Sequence, residues 1–232
     1  MATLLIDHGN TNVKFALLEN GQVKSCPRQG VDDLVDALAL SDGDVWMSSV
    51  GDEALRERIA GQCVGMARTC HRIKIEQHAN KLVTQYDTQS MGVDRWLVLL
   101  GCYQRQLFPC VVVDSGTATT IDLMNALGEH EGGYILPGLA LANSALTTNT
   151  CIPEQPELPQ HAKIPTSTAE TMNFSMPAAT AALAEQCASH LANDATIILT
   201  GGGAAALSAH ISSPVMQEEQ LVFEGLAALA SE

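Results

Sequence analysis

Positive charge is scarce in this chain. Its 232 residues carry 12 Lys and Arg against 26 Asp and Glu, a formal net charge of −14. A protein that grips a nucleic-acid backbone over a broad surface needs the opposite balance. Aromatic residues make up only 4% of the chain, too few to build stacking platforms for unpaired bases. Neither shortage excludes a small anion such as a nucleotide, which needs only a local cluster of donors. Long apolar runs are missing too. Residues 135–142, ILPGLALA, are interrupted by Pro137 and Gly138, whereas a bilayer span needs about 20 apolar residues. No basic region followed by an apolar stretch and a cleavage site opens the chain. The expectation is a cytoplasmic protein with neither membrane nor nucleic acid among its partners. The seven cysteines lack CxxC spacing and read as reduced, mostly buried thiols. HExxH, HxH and GxxxxGK[ST] are all absent, which removes the zinc-hydrolase and P-loop readings.

What the chain does have is one piece of grammar used twice. At 111–122, VVVDSGTATTID, a β-branched run enters Asp114, a Ser-Gly-Thr turn follows, and a second β-rich run leaves. At 4–18 the same order recurs as LLIDHGNTNVKFALL, with Asp7 matching Asp114 and Gly9 matching Gly116. Glycine lets the backbone approach a ligand closely. Turn amides and hydroxyls meet phosphate, and the aspartate can sit near an accompanying cation. Two such hairpins half a chain apart predict two similar halves facing one nucleotide cleft.

The surrounding pattern is α/β. Strands are expected at 3–7, 13–18 and 22–26, with Asn20-Gly21 as a hairpin turn. A helix is expected at 31–40, a strand at 45–50, a helix at 52–60 capped by Asp52, and one more strand within 63–75. Residues 81–92 read as a loop lining the cleft, and 95–107 as a helix started by Asp94. After the second hairpin come a strand at 129–136, a helix at 139–146, and a loop at 151–165 holding four prolines. A long helix from Thr168 to about Ala192, a strand at 196–200, a glycine loop and helices at 204–211 and 221–230 complete the chain. No linker separates independent domains, so the expectation is one compact unit of two lobes, 1–109 and 110–232.

Three further segments carry chemistry. In GVDR, Asp94 reads as a helix cap or as a base able to take a proton from an attacking hydroxyl. Beside it, Arg95 is suited to hold a carboxylate or phosphate bidentately. GGYILPG at 132–138 reads as a strand end or as close packing around a small ligand. TGGG at 200–203 reads as a loop for a nucleotide's base or sugar.

The two DxG hairpins resemble the acetate and sugar kinase, Hsp70 and actin superfamily. Within it, DHGNTNVK, GVDRW, VVDSGTATTID, GEHEGGYILPG, STAE and LTGG, in that order over most of the chain, resemble the type III pantothenate kinases. The resemblance implies two actin-like (ribonuclease H-like) lobes. It implies transfer of the ATP γ-phosphoryl group to the hydroxyl of pantothenate, giving 4'-phosphopantothenate, the first step of coenzyme A synthesis. It implies Mg2+ with ATP, a monovalent cation (potassium or ammonium), and a homodimer with the substrate site near its interface. Carried over by position, Asp7, His8, Gly9, Asn10, Thr11, Asn12, Val13 and Lys14 form the first ATP loop, and Thr117 is a further ATP contact. Asp94 is the catalytic base within the substrate segment Gly92, Val93, Asp94 and Arg95. Tyr86 and Thr168 bind substrate, and Asp114 binds the monovalent cation. Ser175 stands where the family usually carries glycine. The alternatives are a non-catalytic nucleotide-binding regulatory factor, or a kinase of the same superfamily with another small substrate.

Overall fold

The computed structural model describes residues 2–161, 163–191 and 195–231. The chain forms two units, Met1–Gln106 with Gln220–Glu232, and Leu107–Glu219. In the first unit, β1 (Thr3–His8), β2 (Val13–Glu19), β3 (Gln22–Gln29), β4 (Val45–Ser49) and β5 (Cys70–Arg72) make one sheet in the order β3-β2-β1-β4-β5. β1 pairs antiparallel with β2 and parallel with β4. One face, including Leu4, Ile6, Val13, Phe15 and Met47, packs on α1 (Leu34–Ala39) and α2 (Glu53–Gly65). Leu5 and Ala16, on the other face, are equally buried. A strand buried on both faces reads as an unbroken apolar run, as 4–6 does.

That other face is covered by α3 (Val93–Gln104) and by the terminal helix α7 (Leu221–Ala230). These two helices meet backbone to backbone. A Cβ on Gly101 would strike the carbonyl of Leu221, and one on Gly225 would strike that of Leu97. Arg105 at the end of α3 reaches Glu224 at 3.3 Å. The expected boundary between lobes therefore needs one change. Residues 221–230 belong with the first unit, because the apolar face of Leu221, Phe223, Leu226 and Leu229 is buried there.

The second unit repeats the plan. β6 (Cys110–Ser115), β7 (Ala118–Met124), β8 (His130–Pro137), β9 (Thr196–Thr200) and β10 (Val215–Gln217) form a sheet in the order β10-β9-β6-β7-β8. β6 pairs antiparallel with β7 and parallel with β9, and β9 parallel with β10. Read from β8 to β10, this is the order and direction of the first sheet. Each unit thus has the ribonuclease H-like, actin-like topology, and the duplication anticipated from the hairpins is present. Val111, Val113, Ile121, Ile197 and Leu199 pack on Ala181, Ala184 and Cys187 of α5 (Thr168–Leu191) and on Leu207 of α6 (Ala204–Ser208). Between β8 and α5 lies α4 (Leu139–Asn149). The buried His130 and Asp122, 3.0 Å apart, tie β8 to β7.

Several boundaries move. Residues 31–40 split into a 3-10 turn, Val31–Asp33, and α1, after Gly30 takes φ 95°. Asp52 does cap α2, accepting from Ala54 N at 3.2 Å and Leu55 N at 3.3 Å, but the helix runs on to Gly65. β10 was not anticipated, since three residues show no periodicity. The expected end of the long helix at Ala192 falls outside the described residues. None of the seven cysteines is in a disulfide, and five of them are buried. No helix among the described residues is long and apolar enough to cross a membrane.

Candidate active site

The first hairpin turns at Gly9, whose amide donates to the carbonyl of Asn12 at 3.0 Å. Asn10, Thr11 and Asn12 are exposed at its tip, while Asp7 and Lys14 face each other in register and are half-buried. Val13 is a core residue. Successive strand residues point to opposite faces, so Asp7 and His8 diverge. His8 turns toward the α2 face and is only 2% exposed, with Nδ1 2.8 Å from Ser49 Oγ. Its main chain leads into the turn, and its imidazole faces Ser49.

The second hairpin is built alike. The Gly116 amide donates to the Ala118 carbonyl at 3.0 Å, and Gly116 and Thr117 are exposed at the tip. Asp114 pairs in register with Thr120 of β7 and Thr200 of β9, as Asp7 does with Lys14 and Ser48. Glycines brace this turn from two sides. The Gly138 amide donates to Thr117 O at 3.0 Å, and the Gly203 amide to Ser115 O at 2.8 Å. Gly201, at φ 82°, lies so close that a Cβ would collide with the Asp114 carboxylate and the Ser115 carbonyl. The GGxIxPG and TGGG segments thus meet at this turn.

Gly132 and Gly133 lie at the other end of β8. A cavity of about 400 Å³ opens there, lined by Leu123, Tyr134, Leu183 and His190 among others, and it includes no residue of either hairpin turn.

Asp94 is not the cap of α3. Gly92 is, and its carbonyl accepts from Trp96 N at 3.2 Å. Asp94 stands in the first turn, half-buried, with Oδ1 accepting from Arg95 N at 2.8 Å. A carboxylate is favoured at this positive helix end. Arg95 is 6% exposed. Its Nη1 reaches the Tyr86 hydroxyl at 3.4 Å, and its Cζ lies 5.0 Å from the centre of that ring. Tyr86 is delivered by a tight turn at Asp87, whose carboxylate accepts from Gln89 N at 3.0 Å. The fold therefore collects Tyr86, Gly92, Val93, Asp94 and Arg95 into one patch.

Thr168 belongs to the second unit. It is the exposed first residue of α5, directly after Ser167, whose hydroxyl accepts from Glu170 N at 3.2 Å. Glu170 in turn accepts from Thr166 N at 2.8 Å, an arrangement that secures the helix start. The Ser175 hydroxyl is absorbed within α5, donating to Thr171 O at 2.6 Å.

Ser49, Gly51 and Arg56 were not singled out from the sequence. Arg56 Nε donates to Ser49 Oγ at 3.0 Å and Nη2 to Gly51 O at 2.8 Å. The one available signal was positional, since SSVG at 48–51 follows β4 as TGGG at 200–203 follows β9.

A duplicated ribonuclease H-like fold with an Asp-Gly hairpin at the same place in each unit defines the class of the acetate and sugar kinases, Hsp70 and actin. Within that class the match is specific. Residues 3–190 fit the family model for type III pantothenate kinase, and the chain belongs to that family. A type III pantothenate kinase of Chromobacterium violaceum is 31% identical over 98% of this chain and 99% of its own. One of Pseudoalteromonas translucida is 39% identical over 63% of this chain and 61% of its own. Among solved structures, a conserved protein of Campylobacter jejuni described as a Baf family transcriptional activator superposes with a TM-score of 0.68 at 22% identity. That match covers 98% of this chain and 97% of the other, and it speaks for the fold.

Proposed function

We propose that this chain is a pantothenate kinase that moves the γ-phosphoryl group of ATP to the primary hydroxyl of pantothenate, releasing ADP and 4'-phosphopantothenate. The observation that carries this reading is the family match together with the Tyr86, Asp94 and Arg95 patch. It joins a carboxylate at a helix start to a buried guanidinium.

Phosphoryl transfer depends chiefly on alignment and charge neutralisation. Asp94 takes the hydroxyl proton as the new O–P bond forms and the bond to the leaving ADP oxygen breaks. Its Oδ1 accepts from the Arg95 amide at 2.8 Å, which holds the carboxylate at the helix start. Arg95, aligned by Tyr86, takes the pantothenate carboxylate, and Thr168 adds a hydroxyl contact. The loop of residues 9–12, exposed from Asn10 to Asn12, takes the ATP phosphates with Lys14, and Thr117 of the second hairpin supports the nucleotide.

Hard cations prefer oxygen donors. An Asp114 carboxylate oxygen and the Ser115 carbonyl converge where a Cβ on Gly201 would lie, and both are oxygen donors of the kind that would hold potassium or ammonium. Mg2+ would come with ATP and be held beside Asp7, where it would offset phosphate charge. The enzyme works as a cytoplasmic homodimer.

The test is a coupled assay of ADP release with pantothenate, run with potassium or ammonium and then without either. Pantothenate-dependent turnover that needs the cation supports the kinase and the Asp114 site. Turnover indifferent to it keeps the kinase and discards that site. No turnover from folded protein rejects the reading.

A further inference from the structure

Behind the first hairpin runs a chain of hydrogen bonds that no part of the catalytic scheme uses. Arg56, on the first turns of α2, has only 12% of its side chain exposed. It donates to Ser49 Oγ at 3.0 Å and to Gly51 O at 2.8 Å, and it pairs with Glu53. Ser49 Oγ is 2.8 Å from His8 Nδ1. The His8 carbonyl accepts from Val50 N at 3.0 Å. Gly51 packs so tightly that a Cβ there would strike both His8 Nε2 and the Gly9 carbonyl.

A guanidinium only donates, so Ser49 Oγ accepts from Arg56, and the same oxygen is within hydrogen-bond distance of His8 Nδ1. The end of β1, from which Gly9 departs, is thus held by a side chain that reaches it through two others. Burial is needed for this to work, because water would otherwise compete for Ser49 and His8.

We propose that Arg56 is a positioning residue for the phosphate hairpin, acting through Ser49 and His8 to fix the peptide that carries Gly9 and its neighbours. The proposal rests on the reading of residues 7–14 as the ATP loop. Arg56 need not touch ATP. Its role is to make the loop amides stand ready, so its loss weakens ATP and not pantothenate.

The experiment compares Arg56→Met, Ser49→Ala and Ser49→Thr with wild type, in KM for each substrate and in Mg-ATP Kd by calorimetry. Arg56→Met and Ser49→Ala should each raise the ATP KM and Kd roughly tenfold, the worth of one charge-assisted hydrogen bond. The pantothenate KM should move less than about twofold, because the two sites share no residue of the chain. Ser49→Thr keeps the hydroxyl and should restore ATP binding. Arg56→Met with Ser49→Ala should be no worse than either alone, since both cut one chain. Unchanged ATP constants in folded variants overturn the proposal, as do equal rises in both KM values. If Arg56→Met does not fold, the Ser49 pair decides. Wild type that binds Mg-ATP without phosphorylating pantothenate sinks the proposed substrate only, and the Kd series still decides on Arg56. Wild type that binds no ATP overturns both.

Discussion

Arg95 lies over the ring of Tyr86, its Cζ 5.0 Å from the ring centre and its Nη1 3.4 Å from the phenol oxygen. The contact joins residues nine positions apart through the turn at Asp87. It explains how a guanidinium only 6% exposed is oriented. Cation–π contacts are worth about 0.5–2 kcal/mol depending on desolvation. Tyr86→Ala should therefore raise the pantothenate KM by roughly threefold to thirtyfold, with the ATP KM unchanged. Tyr86→Phe keeps the ring and should cost less. Steady-state kinetics with each substrate varied in turn would check the order.

Asp94→Asn keeps an oxygen that can accept from Arg95 N but cannot take a proton. Turnover should drop by about 10²- to 10⁴-fold, the usual worth of a general base. Mg-ATP affinity and the thermal midpoint should hold. Turnover close to wild type would reject Asp94 as the base.

Gly201→Ala should disturb the second hairpin more than any surface change. The residue sits at φ 82°, and the added carbon would meet the Asp114 carboxylate and the Ser115 carbonyl. Strain of this kind costs about 1–3 kcal/mol. Denaturant titration should show that loss, and the concentration of potassium needed for half-maximal turnover should rise.

Stability should fall as the solution turns mildly acidic. The His8 pKa is held below its ordinary value by burial first and by the nearby Arg56 second, with Asp52 opposing. His210 is lowered in the same sense by burial and by His161. The unfolded chain therefore takes up protons first. The stabilising effect is complete above about pH 6.5 and is lost as pH falls through the folded values. The hydrogen-bonded carboxylates Asp42, Asp44 and Glu170 are also lowered, but they act at more acidic pH, below the carboxylate range. Thermal midpoints measured from about pH 7.5 to pH 5.5 should decline. His8→Leu should flatten part of that decline, and an unchanged slope would show that His8 does not contribute.

Much of this was legible in the chain. Apolar runs ending in Asp-x-Gly marked both hairpins, because a buried strand needs the apolar run and a tight turn favours the glycine that follows. Period-2 and period-3.6 patterns placed most strands and helices. What escaped was of two kinds. A short element such as Val215–Gln217 is set by edge pairing and carries no period of its own. Partnerships between elements were invisible as well. Nothing local in SSVGDEALR announces that Arg56 and Ser49 reach back across the sheet to His8. Nothing local in Leu221–Ala230 says that α7 returns to the first unit.

By itself, the sequence determined the duplicated α/β plan, the two hairpins and the Gly92 to Arg95 segment. Each depends on residues adjacent in the chain, whose backbone preferences and spacing act locally. The tertiary structure decided which side chains meet. It turned His8 away from Asp7 and onto Ser49, brought Tyr86 under Arg95, made Gly92 rather than Asp94 the helix cap, and set Gly201 against Asp114. Those outcomes rest on strand register, on helix packing close enough to need glycine, and on burial. None of these exists until distant parts of the chain have come together.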